Sequence, residues 1–493
     1  MSKRPILIAI IAATFAAGTA SAQLLGGSGP LGGGALGGGG PVGGISETIG
    51  GVGGTLGQVG QSVGTLGNPA GGLGGGLGGL GNNVEQGAAG ALGNLNGFAG
   101  SGLSDSDLIR SVNPALILDD VYPPQIGQSD AEVLARIRKL RHEMLIRANK
   151  NVLDRDPAGQ PVRRSELVAI DPDPASLSAA IQAGFRIVSD ERPEGLGMRI
   201  LTLACPKGVN VRDGLKLLRK TAPGLQAEFN HVFEPAGSAL LPVMGVSLAT
   251  TAAVQPGTRI AMIDGGVASH PSLARASVEQ RGFAGPAQPT GHGTAVGSLL
   301  VGTQGPFNGA ARGAQLFVGD VYGGDPAAGS ATIIVRALAW AASKQPKVIN
   351  ISLVGPENRV LERAVASLRA RGIGIVAAVG NDGPAAPNQY PASYPGVIAV
   401  TGVDGQDRAL REAGPSTHLD FAAPGADLVA ALPGNGYTPV RGTSFAAPFV
   451  AARLAATGST ALLAGEAVPG KGKVGRGIVC KNCRILPKMV GLK

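Results

Sequence analysis

From Thr258 onward, short runs of apolar residues recur along the chain: Arg259–Ile263, Gln315–Val321, Val348–Leu353, Ile373–Val379 and Val397–Val400. Helical stretches near 332–343 and 357–371 separate some of them, and Gly372 stands at a helix stop after the second. Apolar runs joined by helical crossovers predict a mostly parallel sheet covered on both faces, a doubly wound α/β domain over 250–466. In such folds, functional side chains gather at the carboxyl ends of strands.

Upstream the rhythm differs. Leu167–Ile170, Phe185–Val188, Arg199–Leu203 and Gln226–Phe233 read as strands, and Pro174–Gly184 and Val211–Lys220 as helices. The order βαββαβ predicts a small sheet with both helices on one face. Before it, Ser129 and Glu132 have capping-box spacing, and Val133, Leu134, Ile137, Leu140 and Met144 repeat with helical period. This is an amphipathic helix docked on a neighbour, within a region spanning 105–240.

The first residues have another pattern. Lys3 and Arg4 precede an apolar run from Ile6 to Ala17, and Ala20-Ser21-Ala22 ends it. That is the layout of a signal peptide over 1–22, with export to a secreted or periplasmic location. No later run reaches the length of a transmembrane segment, so none is expected after signal removal. Residues 23–104 form a low-complexity linker, and 34 of the chain's 81 glycines fall within 26–102. Few large side chains offset the entropy of ordering such a stretch, which predicts disorder. A structural or adhesive role is the other reading. The net charge of +9 is partly local: Val468 to the end holds seven Lys or Arg and no acid. Without interleaved aromatics, this basic tail (467–493) reads as a solvated end rather than a nucleic-acid site.

Four positions carry candidate chemistry: Asp264 in "DGG", His292 in "GHGTAVGSLLVG", Asn381 in "AAVGNDG" and Ser444 in "RGTSFAAPFVA". Singly each is an ordinary turn, loop or cap residue. Together they make an acyl-transfer set. A serine hydroxyl needs an adjacent base, an imidazole can supply it, and a carboxylate can orient the imidazole. The developing oxyanion needs fixed donors, which the Asn381 amide and the Ser444 backbone N–H can provide.

These segments resemble the subtilase (subtilisin-like serine protease) family. "RIAMIDGGVASHPSL", "GHGTAVGSL" and "GTSFAAPFVA" are similar to its aspartate, histidine and serine motifs. "VINISLVGP", "AAVGNDG", "YPASYPGVIAVTGVD" and "DFAAPGADLVAALPG" resemble the intervening segments, in the same order. The resemblance implies a secreted serine endopeptidase made as a precursor. Its partners would be protein or peptide substrates and its own propeptide-like βαββαβ domain. A permanent accessory domain is the other reading of that domain. A cut would fall between Glu234 and Val254. Ser352, Leu353, Val354 and Gly355 would border the substrate.

Val354 stands where the family usually has glycine. A β-branched residue there, with Val379 adding bulk nearby, predicts a preference for small residues before the scissile bond. No acidic calcium loop is visible in the sequence, so no metal and no cofactor is expected. Cys480 and Cys483 form one CxxC, read as a local disulfide that leaves Cys205 unpaired. His142, His231 and His418 have no motif around them. The competing function is an exported binding or surface protein of subtilisin fold with little proteolytic activity.

Overall fold

The computed structural model describes residues 130–239, 254–325 and 327–492. The signal, the glycine-rich segment and the chain over 240–253 lie outside these residues.

Helix α1 (Asp130–Ala148) comes first, as its periodicity predicts. A five-stranded antiparallel sheet follows: β1 (Leu153–Arg155), β2 (Pro161–Ile170), β3 (Arg186–Glu191), β4 (Ile200–Ala204) and β5 (Ala227–His231). Helices α2 (Pro174–Gln182) and α3 (Val211–Thr221) complete the βαββαβ order, and β1 is an added strand. Asp173 and Asn210 start the two helices by accepting the backbone N–H groups of Ser176 and Asp213. Alternation decides the faces. Leu167, Ala169, Leu201 and Leu203 pack with Ala180, Leu215 and Leu218 of α2 and α3. Val168 and Ile200 turn the other way, into a cluster with Ile333, Ala337, Leu361 and Leu368.

Those four residues belong to α5 (Ala331–Ser343) and α6 (Arg359–Ala370) of the larger layer. Its sheet has seven strands, all parallel, in the order β17-β16-β15-β13-β8-β12-β9. They are β8 (Arg259–Asp264), β9 (Ser277–Gly282), β12 (Gln315–Asp320), β13 (Val348–Ile351), β15 (Gly374–Ala378), β16 (Ile398–Val403) and β17 (Phe421–Pro424). The hairpin β10 (Thr303–Gln304) and β11 (Phe307–Asn308) lies between β9 and β12. Ile260, Met262 and Val376 face α4 (Gly291–Val301) and α7 (Thr443–Thr457), whereas Ala261, Ile263 and Ile375 face α5 and α6. This is the doubly wound α/β architecture, with β8 in its centre.

The C-terminal residues differ from the solvated end expected of them. Val479, Ile485 and Leu486 are buried. Ile478 bridges both Ala422 and Val468, and Val429 N donates to Ile485 O. The Arg484 guanidinium reaches the carbonyls of Ala426, Val403 and Asp404, so this basic side chain is a buried strut. Cys480 and Cys483 are disulfide-bonded, and Cys205 is a buried free thiol. Burial, then the charge of Asp154, pushes its pKa up to about 11. Among the described residues, no single helix is long and apolar enough to cross a membrane.

Candidate active site

Asp264 ends β8 and is 1% exposed. Its Oδ1 accepts from Gly265 N at 2.7 Å and lies 2.8 Å from His292 Nδ1. His292 stands in the first turn of α4, where the Thr290 hydroxyl accepts the Gly293 N–H as helix cap. The glycines beside both residues permit this approach, since a side chain at Gly293 would collide with the Gly265 carbonyl. A carboxylate only accepts, so Nδ1 carries the proton, and Nε2 is left to accept from Ser444 Oγ 2.9 Å away.

Ser444 is the second residue of α7, after Gly442 at φ 144°. Four residues later Pro448 has no N–H, which leaves the Ser444 carbonyl without its helical donor. The Ser352 hydroxyl donates to that carbonyl at 3.0 Å and accepts from the Asn350 amide at 2.9 Å. Ser352 thus supports the backbone of Ser444. Asn381 follows β15, and its Oδ1 accepts Thr443 N at 3.0 Å. That bond fixes the amide so that Nδ2 points back into the cleft.

What it points at is the chain itself. After β5 the backbone runs through the cleft as β6 (Glu234–Pro235) and β7 (Ser238–Ala239). β6 pairs antiparallel with β14 (Leu353–Val354), and Ala236 N donates to Ser352 O at 3.0 Å. β7 pairs antiparallel with β19 (Tyr437–Arg441), which also pairs with β18 (Leu428–Ala431). Between them, the Ala236 carbonyl accepts from Asn381 Nδ2 and, at 3.1 Å, from Ser444 N. The structure therefore brings Asp264, His292, Asn381 and Ser444 around one peptide unit, Ala236–Gly237. Leu353 and Val354 border it, and the Gly355 and Tyr390 backbones exchange two bonds of 3.0 Å beside them.

Six residues that sequence reasoning gave no role also shape the site. Asp320 ends β12 in register with Asp264, and its sequence signal is the same: an Asp after an apolar strand. It accepts from Gln288, Tyr322 and Gly323 N–H groups, while burial, helped by the nearby Asp264 charge, raises its pKa. Glu234 and Arg141 form an ion pair of 2.8 Å, and the same guanidinium atom reaches Asp382 at 3.1 Å. Burial opposes the Arg141 charge, but the two carboxylates outweigh it and raise the pKa. His142 Nε2 is 3.2 Å from Glu234. The sixth is Gln389. A side chain at Gly380 would meet Val354 Cγ1 at 3.2 Å and Gln389 Cγ at 3.4 Å. Val379, expected to add bulk here, instead faces the α5 and α6 cluster because alternation along the strand turns it away. Among the described residues, no group of three or more His, Cys, Asp or Glu is placed to hold a metal ion.

Known proteins resemble this chain in sequence and in fold. The model of the Subtilase family matches residues 255–462. Subtilisin BL and Subtilisin Savinase, both of Lederbergia lenta, are 34% identical over 205 residues, which is 40% of this chain and 74% of each relative. Subtilisin E of Bacillus subtilis (strain 168) is 34% identical over 212 residues, 53% of its length. The crystal structure of fervidolysin from Fervidobacterium pennivorans superposes with a TM-score of 0.54 at 20% identity, covering 65% of this chain and 60% of that one. That likeness shows the fold.

Proposed function

Because the chain belongs to the subtilase family and is a serine-type endopeptidase, we propose that Ser444 is its nucleophile and that its own small domain is its first substrate. The observation that carries this reading is the Ala236 carbonyl, seated between Asn381 Nδ2 and Ser444 N while Ser444 Oγ faces His292. Ser444 Oγ attacks that carbonyl carbon, and its proton passes to His292 Nε2. Asp264 holds the resulting imidazolium in place. The negative charge moves onto the carbonyl oxygen, where the two N–H donors stabilise it. The Ala236–Gly237 C–N bond then breaks, and His292 returns the proton to the new amine of Gly237. A water, deprotonated by His292, attacks the acyl carbon and frees Ser444 and the Ala236 carboxylate.

The small domain's contacts support its role as a propeptide that also inhibits. Glu228 caps the start of α6 by accepting Arg359 and Val360 N–H groups at 3.1 and 2.9 Å. Arg336 on α5 holds Glu191 by two bonds of 2.7 Å. Asn230 bonds Thr332 at 3.2 Å. These contacts keep the strand in the cleft whether or not the bond is cut. Residues 1–22 make the protein an exported precursor, and peptides and proteins are its later substrates.

The test is labelling of the processed protein with a fluorophosphonate probe. Wild type should label and should separate on a gel into two fragments joined at 236–237. Ser444→Ala should do neither. Equal labelling of both proteins would refute the reading.

A further inference from the structure

We propose that this enzyme cuts Ala–Gly bonds in polypeptides rich in small residues, because its cleft is closed on both sides of the scissile bond. The inference rests on the catalytic reading above and names the substrate class of that site.

On the acyl side, Ala236 is 2% exposed and buried in the same apolar cluster as Val354 and Ala378. Val354 and Gln389 converge on Gly380, the residue before Asn381. Neither is free to swing aside. Val354 lies in β14, paired with Glu234, and Gln389 is tied through its N–H to Pro415 O at 3.0 Å and through Nε2 to Pro387 O at 2.8 Å. The Gly355–Tyr390 bonds fasten the two segments together. A cavity of about 280 Å³ lies between Val354, Gln389 and Tyr390 on one side and His142, Asp156 and Glu234 of the small domain on the other, and Ala236 does not line it. Val354 and Gln389 thus close the wall beside Gly380, next to the Asn381 amide that holds the Ala236 carbonyl.

On the leaving side, a side chain at Gly237 would collide with Ser444 Oγ and approach the Phe445 ring to 2.9 Å. Ser444 Oγ is held on His292, and Phe445 is fully buried, so neither yields cheaply. Glycine is the residue this position accepts.

The chain carries the same tripeptide elsewhere. Pro235-Ala236-Gly237 recurs as Pro69-Ala70-Gly71 in the glycine-rich segment, and Ala89–Gly90 and Ala99–Gly100 lie there too. A third copy, Pro157-Ala158-Gly159, sits in a tight turn in which Gly159 N donates to Asp156 O at 3.1 Å. It cannot extend into the cleft without unfolding that turn. Sequence and an extended backbone together define the substrate.

The test uses processed wild-type enzyme and four quenched peptides. One copies Phe233–Ala239 and one copies Asn68–Leu73. The third replaces the Ala of the first by Phe, and the fourth replaces its Gly by Val. Both natural peptides should be cut between Ala and Gly, and each substituted peptide should lose about 100-fold or more in kcat/KM. Val354→Gly combined with Gln389→Gly opens space beside Gly380 and should raise cleavage of the Phe peptide at least about tenfold relative to the Ala peptide. Fluorophosphonate labelling of that variant checks that its site is formed. An enzyme that labels but cuts the Phe or Val peptide within about tenfold of the parent overturns this inference alone. So does failure to cut the Asn68–Leu73 copy. A chain that neither labels nor cuts overturns the catalytic reading and takes this one with it.

Discussion

Arg141 lies between two cleft carboxylates, and it comes from α1, outside the βαββαβ unit. Its Nη2 lies 2.8 Å from Glu234 and 3.1 Å from Asp382, and the three side chains are 10, 6 and 7% exposed. Glu234 belongs to the strand in the cleft, and Asp382 follows Asn381. Replacing Arg141 by Met keeps most of the stem and deletes the charge. Two carboxylates then share a buried site without their shared counter-ion. Removing one partner of a buried pair costs about 3–5 kcal/mol. His142 still touches Glu234 at 3.2 Å, which favours the lower end. A loss of about 3 kcal/mol corresponds to roughly 100-fold in binding. It falls on docking of the small domain, because the triad spans the interface and not either core.

The assay follows inhibition of peptidase activity by the cleaved small domain. Wild type and Arg141→Met are allowed to process fully, and hydrolysis of a quenched peptide is measured over a dilution series. The variant should reach half activity at about 100-fold higher total protein than wild type. Adding Glu234→Leu removes one of the two carboxylates that have lost the guanidinium and should recover part of that loss, Asp382 accounting for the rest. If Arg141→Met processes completely yet is inhibited as tightly as wild type, the ion triad contributes nothing to docking and the argument fails.

Two further outcomes follow from buried charges elsewhere. Arg484→Met takes the guanidinium from the Ala426 carbonyl, while the Val403 carbonyl keeps the Gly425 and Ala426 N–H groups and the Asp404 carbonyl keeps the Asp407 N–H, so about 1–3 kcal/mol of stability should be lost and Tm should fall by roughly 2–12 °C by calorimetry, with an unchanged Tm as the contrary result. Burial works to raise the pKa of Asp156, but hydrogen bonds from His231 and Gln160 outweigh it and hold the carboxyl below its usual 3.8. A depressed carboxyl contributes stability that is complete above its ordinary pKa and is lost as pH falls through the folded value, so unfolding of the Ser444→Ala precursor should steepen below pH 3.8. Asp156→Asn should flatten that slope; an unchanged pH profile would place the acid sensitivity in other groups.

Much of this fold could be read from the chain because its strands alternate or run fully apolar between clear breakers. Asp264, Asn381 and Ser444 lie where strand ends and a helix cap were expected. Helix α4 was not legible. Residues Gly293–Val301 are all buried, so no polar face gives the segment a helical period. Strand β1 is three residues long and has no pattern to detect. The tail was misread because its lysines and arginines outweigh a few apolar residues in any local average, although Ile478, Val479 and Ile485 are fully buried. Gln389 and Arg141 were invisible for another reason. Each acts on the site through residues far away in sequence, and neither belongs to a local motif.

The same geography explains how one enzyme can be both cut and restrained by its first substrate. Before cleavage, the strand over Phe233–Ala239 is tethered to the catalytic layer through the chain itself, so its binding is intramolecular and independent of protein concentration. Cutting at Ala236–Gly237 leaves Gly237–Ala239 covalently joined to the catalytic layer. The small domain then remains through Glu228, Glu191, Asn230 and the Arg141 triad. Its hold has become bimolecular and weakens on dilution. None of those contacts needs the scissile bond, so restraint persists after the chemistry is complete. Release is therefore set by the contacts on α5 and α6, by the Arg141–Asp382 pair and by the pairing of β6 with β14, all of which survive the cut.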